Sequence, residues 1–294
     1  MKNKISTIFI IIILVQCINV VSQSRDNYIE SYKINFENEN LDVIELSREN
    51  NRVKAKYFAD ENYEGNVPNR LRDFSKNKNI ILYTAGTYMS HCIKSENPEP
   101  VGLTIDNGVV VNPTLTSLDG LVIVYATGGI AVSNIEKGDL GCGGINHKID
   151  LNIGWHYKEF IDWAKSNKAT VFQTHLLVDD NEMNFALTKE QYAKSTKGNK
   201  IRERRFLAIC KDGNGVPKHV IINKSNPENL YNASEKVLNF LKYRLGYKVY
   251  GILNLDTGCQ NVFQYFDSNG KKDQIIKGST PLDDARNLLV YYFE

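Results

Sequence analysis

The chain has 294 residues and carries 36 basic against 34 acidic side chains, a net charge of +2. Near-neutral balance gives no electrostatic case for nucleic acid or for a membrane surface as partner. Hydrophobic residues make up 42% of the sequence, enough for a substantial core, and no Pro-, Gly- or Ser-rich linker divides it, so one domain is expected.

The first 22 residues have the three parts of a secretory leader. Lys2 and Lys4 precede an apolar run from Ile8 to Val15, and small or polar residues follow around Val20 to Ser24. This predicts a signal peptide over 1–22 and an exported protein, periplasmic or extracellular. Leu14-Val15-Gln16-Cys17 loosely imitates a lipobox, but Gln16 is too large for the position before a lipid-bearing cysteine. A retained span is disfavoured because the run is short and broken by Gln16 and Asn19. Cys92, Cys142, Cys210 and Cys259 remain after processing, and an oxidising compartment would permit a disulfide among them without saying which.

Residues 23–78 are polar and rich in Asn and Glu, and read as a peripheral lead-in with edge strands at Tyr28 to Phe36 and Arg52 to Phe58. The main domain is expected over 79–294. Ile80 to Tyr83 forms an apolar strand ended by Ala85-Gly86, delivering Thr84 to Tyr88 into a loop. Asp106-Asn107-Gly108 between β-branched runs is a strong hairpin signal, and a second hairpin is expected about Gly128-Gly129. Tyr157 to Lys165 reads as an amphipathic helix before a strand at Thr170 to Val178. Strands follow at Phe206 to Cys210 and His219 to Ile222. A long helix is then expected from an Asn226 cap to Gly246, with Leu230, Ala233, Val237, Leu238, Leu241 and Leu245 on one face. The strand Val249 to Leu255 emerges at Asp256, and strands at Val262 to Phe266 and within Pro281 to Phe293 complete an α+β fold with a mixed, largely antiparallel sheet.

Asp256 is the most informative single position, because Gly258 just beyond it leaves room for a ligand to approach the backbone; the plain alternative is a turn cap. Asp256-Thr257-Gly258 also matches the aspartic protease string, but that chemistry needs two carboxylates sharing a proton, and the chain has no second copy. Five histidines occur without His-x-His, His-Glu-x-x-His or Cys-x-x-Cys spacing, so no metal is expected. The sequence does not identify a cofactor. His175 reads as a core or edge residue. Gly128-Gly129 and Gly141-Cys142-Gly143-Gly144 lack the spacing and lysine of a phosphate-binding loop and read as turns. Arg202-Glu203-Arg204-Arg205 reads as a solvated face, or as a clamp for an anionic oxygen at a strand entrance.

The order of these segments adds more than any one of them. Ala85-Gly86 after a strand, Pro100 to Gly108, Val171 to Val178, Arg204 to Ile209 followed by Asp212-Gly213, then a helix and Leu253 to Gly258 together resemble the phosphodiester glycosidase family over about residues 79 to 268. The resemblance implies an exported hydrolase that cleaves an N-acetylglucosamine-like sugar 1-phosphodiester. It further implies that Arg204 holds the phosphate and that Asp256 acts as acid, base or charge stabiliser at the anomeric carbon. Thr84, Gly86, Tyr88 and Gly258 would line the substrate pocket. The chain departs from the family where Asn-(Gly/Ala)-Gly becomes Thr84-Ala85-Gly86, where Leu-Asp-Gly-Gly with serines becomes Leu255-Asp256-Thr257-Gly258, and where Ala208 replaces a glycine. Those departures leave open an inactive member that binds an envelope glycan or a protein.

Overall fold

Short runs rich in β-branched and aromatic residues recur along the chain, and the computed structural model accordingly consists mainly of strands, the central ones buried along nearly their whole length. It describes residues 25–60, 66–92, 98–258, 260–267 and 269–294; the signal peptide, Cys17 and Cys259 lie outside the described residues. In chain order the elements begin with β1 (Ile29–Phe36), β2 (Glu39–Ser47), β3 (Val53–Ala59), α1 (Asn66–Ser75), β4 (Asn79–Thr84), β5 (Thr104–Asp106), β6 (Val109–Asn112), β7 (Gly120–Val124) and β8 (Ile130–Asn134). There follow α2 (Gly154–Ser166), β9 (Thr170–Asp179), β10 (Glu182–Met183), α3 (Lys189–Lys194), β11 (Arg202–Lys211), β12 (Pro217–Glu228), α4 (Leu230–Asn239), β13 (Lys248–Leu255), β14 (Phe263–Phe266), β15 (Lys272–Lys277) and β16 (Asn287–Phe293).

Among the described residues these strands make two sheets. The larger runs β1-β2-β12-β11-β13-β9-β5-β6, with β7, β8 and β10 attached beside β9, and the smaller runs β15-β14-β4-β16-β3. Every pairing of neighbouring strands is antiparallel. The fold is therefore α+β as expected. The two sheets share a core in which Ile44, Phe172, Leu207, Ile221, Leu253 and Leu255 of one meet Val53, Tyr57, Ile81, Leu82 and Leu289 of the other. Tyr57 stacks on Phe172 at 4.4 Å between ring centroids.

One expectation is overturned here: residues 23–78 are not a peripheral lead-in. β1 and β3 are edge strands, but β2 pairs with β12 in the register Ile44↔Ile221, and Val43, Ile44, Leu46, Val53 and Tyr57 are fully buried. Each such side chain contributes roughly 1.5–3 kcal/mol on burial, so the segment is part of the main fold.

Local signals place the rest. Asn107 (φ 51°) and Gly108 (φ 81°) take the left-handed pair that closes β5 onto β6. The long helix starts later than expected, because β12 extends to Glu228 and Asn229, rather than Asn226, supplies the cap through a side chain that accepts from the Asn232 N–H. Phe240–Arg244 then continues as a π turn before Gly246 ends it at φ 71°. Leu230, Ala233, Val237 and Leu238 bury against Phe206, Ala208, Val220 and Ile252 on the outer face of the large sheet. Cys92 is disulfide-bonded, and Cys142 and Cys210 are buried free thiols.

Candidate functional site

Side chains alternate across β11, so Arg204 shares a face with Phe206 while Arg205 shares the opposite one with Leu207. On the helix-covered face, Phe206 stands opposite Asn254 of β13, and Asn254 stands opposite His175 of β9. One step further along the strands bring Arg204 and Asp256 to the same end of the sheet, where Thr257 Oγ1 donates to the Glu203 carbonyl at 2.9 Å. Tyr88, from the loop after β4, reaches the same row: its hydroxyl is hydrogen-bonded to the Asn254 side-chain amide, and its ring meets His175 edge-on at 5.8 Å.

These residues border a groove. One compartment, of about 280 Å³, is lined by Arg202, Arg204, Lys200, Lys197, Tyr88 and His175, with Tyr192 of α3 and Leu230 of α4 on its far wall. A second, of about 160 Å³, shares His175, Tyr192, Lys197 and Leu230 with the first and continues to Ser117, Asp119, Glu136 and Asn184 over Leu176, Leu177 and Phe185. The groove thus has a cationic end and an acidic end, joined at His175.

Arg204 is 9% exposed and donates from Nη2 to the Lys200 carbonyl at 2.8 Å, while its buried Nε has no hydrogen-bond partner. Burial pulls the guanidinium below its ordinary pKa; the phenols of Tyr88 and Tyr192 oppose that and Arg202 reinforces it. Among the described residues no carboxylate pairs with it, and a buried cation so placed is poised to gain most from an anion. Burial likewise raises the Tyr88 phenol, with the Asn254 hydrogen bond working against it.

Asp256 occupies a different position from the one expected. It is 4% exposed and does not line the groove. Its Oδ1 accepts the Gly258 N–H at 2.7 Å, which is the turn-capping alternative read from the sequence. Burial raises its pKa, opposed by the Gly258 N–H and by the charges of Arg205 and Arg202. Gly258 stays next to this carboxylate, since a Cβ there would meet Asp256 Oδ1 at 3.2 Å and Arg202 Nη1 at 3.7 Å.

Thr84 and Gly86 also lie behind the groove, between the sheets. Thr84 is fully buried and its Oγ1 faces the Nη1 of Arg205 at 3.4 Å, so the guanidinium near it is not Arg204. Gly86 donates its N–H to Asn287 Oδ1 at 2.7 Å and has no room for a side chain, a Cβ meeting the Tyr57 ring at 2.7 Å. Of the six residues picked from the sequence, Arg204 and Tyr88 line the groove, Asp256 and Gly258 form the turn beside it, and Thr84 and Gly86 support its base.

Sequence reasoning missed Asp119, Lys197, Lys200 and Tyr192, and placed His175 in a core or edge role, whereas its side chain is 35% exposed at the junction of the two compartments. A local signal for α3 did exist: Thr188 and Gln191 form a reciprocal capping box that starts the helix bearing Tyr192. Among the described residues no group of three or more His, Cys, Asp or Glu is placed to hold a metal ion, and no helix is long and apolar enough to cross a membrane.

No family model matches the chain, and no curated protein matches it. Solved structures do. The chain is similar to a hypothetical protein from Synechocystis, with 11% identity and a TM-score of 0.50 over 90% of this chain and 62% of that one. An exported-protein candidate from Burkholderia pseudomallei K96243 aligns at 10% identity and a TM-score of 0.45, over 87% of this chain and 74% of that one. The chain spans less than two thirds of the Synechocystis protein, and at this identity the likeness speaks for the fold alone.

Proposed function

We propose that the groove takes a sugar phosphodiester and that the protein hydrolyses the sugar–phosphate bond, as its likeness to phosphodiester glycosidases implies. The observation that carries this reading is the Arg204 guanidinium, buried with an unpartnered Nε beside Arg202, Lys200 and Lys197 in one compartment. A neutral glycan needs no such cluster, whereas the shared negative charge of a phosphodiester is suited to a forked guanidinium. Leu230 opens α4 at the same wall, so the positive end of that helix adds to the field. In this reading water attacks the anomeric carbon, the carbon–oxygen bond to phosphate breaks, and the products are the free sugar and a phosphomonoester. Asp256 acts from behind the groove, offsetting the charges of Arg202 and Arg205. The Lys2/Lys4 leader and its apolar run support export as the setting.

The buried position of Asp256 favours a second reading, in which the groove binds an anionic envelope glycan without cleaving it. One experiment separates the two. The mature protein is incubated with an N-acetylglucosamine 1-phosphodiester and other sugar phosphodiesters, beside Arg204→Ala and Asp256→Asn variants. Release of free sugar by the parent and its loss in Arg204→Ala supports hydrolysis; absence of turnover on every diester, with binding retained, supports the second reading.

A further inference from the structure

We infer that His175, held by Asp119, is the proton-transfer group of this groove, an assignment that rests on the hydrolase reading above. His175 lines both compartments and therefore stands where the cationic end meets the acidic end. Its Nδ1 lies 3.7 Å from Asp119 Oδ1. That is ion-pair range rather than a hydrogen bond.

Asp119 is itself fixed. Its Oδ1 accepts the Leu176 N–H at 2.9 Å and its Oδ2 accepts from Asn184 Nδ2 at 2.6 Å, and the same amide also donates to the Leu176 carbonyl at 2.7 Å. Strand pairing brings the two residues together, because Asp119 immediately precedes Gly120, which stands opposite Thr174. A carboxylate on the Nδ1 side favours the tautomer with the proton on Nδ1, leaving Nε2 as an open lone pair. Orienting a histidine by a fixed carboxylate is a general device for proton transfer.

The other groove residues are less suited. Arg202, Arg204, Lys197 and Lys200 are cations, burial holds the Tyr88 and Tyr192 phenols above their ordinary range, and Asp256 lies behind the wall. The charged and titratable groups sharing the two compartments with His175 are Asp119 and Glu136 on the acidic side, the two tyrosines, and the four cations. As the water oxygen bonds to the anomeric carbon, the carbon–oxygen bond to phosphate breaks and its electron pair leaves with the phosphate oxygen. His175 Nε2 accepts the water proton and returns it to that oxygen. Asp119 is a positioning residue in this scheme.

The test has two arms on the mature protein. In the first, the tautomer of the His175 imidazole is read from ¹⁵N spectra of the parent and of Asp119→Asn. Loss of the carboxylate is expected to weaken the preference for the Nδ1–H tautomer. In the second, an N-acetylglucosamine 1-phosphodiester is the substrate. His175→Gln is expected to lower kcat by roughly 100-fold or more while the affinity for inorganic phosphate stays within about twofold. Asp119→Asn is expected to lower kcat by roughly 10-fold, less than His175→Gln, with KM little changed. A His175 tautomer indifferent to Asp119→Asn overturns the inference whether or not the protein turns over. An active parent matched by His175→Gln overturns it and leaves the hydrolase reading standing. A parent inactive on every diester removes both.

Discussion

Arg204 and Arg205 are consecutive in sequence yet point to opposite faces of β11: Arg204 borders the groove, whereas Arg205 lies 1% exposed between the two sheets. Among the described residues no carboxylate is in hydrogen-bond contact with Arg205. Its Nη2 donates to Asn261 Oδ1 at 2.8 Å and Asn223 Oδ1 at 3.2 Å, and its guanidinium lies over the Phe263 ring at 4.3 Å. Burial lowers its pKa to about 9, against the attraction of Asp256 and Glu203. One arginine is arranged to meet a ligand and the other to tie the sheets together, which leads to opposite expectations for their variants.

Arg204→Ala should weaken inorganic phosphate binding by about tenfold or more, the loss of a hydrogen bond to a charged group being worth ~1.5–3 kcal/mol, with little change in fold stability. Arg204→Lys should recover part of the loss, keeping the charge but not the fork. Isothermal titration calorimetry measures both, and an Arg204→Ala variant with parental affinity would contradict the anion site.

Arg205→Ala should destabilise the fold by about 3 kcal/mol or more, because it empties a buried site and orphans Asn223 and Asn261. Arg205→Met fills most of the volume and should lose much less. Urea midpoints read the difference; equal losses in the two variants would show that the cation, not the volume, matters.

Gly86→Ala should cost about 1–3 kcal/mol, since the new Cβ meets the Tyr57 ring at 2.7 Å and Asn287 Oδ1 at 3.3 Å within the shared core. Thermal unfolding tests this. A variant with unchanged melting temperature would mean that the loop after β4 gives way more easily than its hydrogen bonds to Asn287 suggest.

Acid should weaken the fold through two buried residues. His219, buried with its Nδ1 at 2.9 Å from the Tyr291 hydroxyl, has its pKa pushed well below 6.5 by burial and by Arg48. Below that unfolded value the unfolded chain takes up a proton that the folded chain refuses. Stability should therefore fall by up to ~1.4 kcal/mol per pH unit as pH drops below about 6.5, and His219→Gln should flatten this slope. At Glu39 burial would raise the pKa, but the hydrogen bonds and charges of Lys224 and Lys236 outweigh it and hold the carboxyl at about 2 against an ordinary 4.5. Its contribution is present above 4.5 and lost as pH falls from there towards 2. Denaturant titrations of the parent, His219→Gln and Glu39→Gln across this range should assign each loss to its residue.

Much of the local structure was legible. Asn107-Gly108 specified its hairpin because the left-handed backbone pair is a property of those two residues, and the leucine spacing after Asn229 specified α4 and its buried face. Residues 23–78 were misjudged because the partner of Ile44 is Ile221, and no local pattern reveals so distant a pairing. His175 was passed over for the same reason: its meaning comes from Asp119, on a neighbouring element, and from Arg204 two strands away.

By itself, the sequence placed its hairpin turns, many of its strands and α4, though not their exact ends, because backbone preference and side-chain periodicity act over a few residues. It also singled out Arg204 and Tyr88, which line the groove. Only the tertiary structure decided which arginine faces outward, that Asp256 turns into a cap behind the wall, and that a histidine and a carboxylate meet beside four cations. Which groups converge depends on strand register, and a shift of one residue would exchange Arg204 with Arg205 and turn the groove inside out.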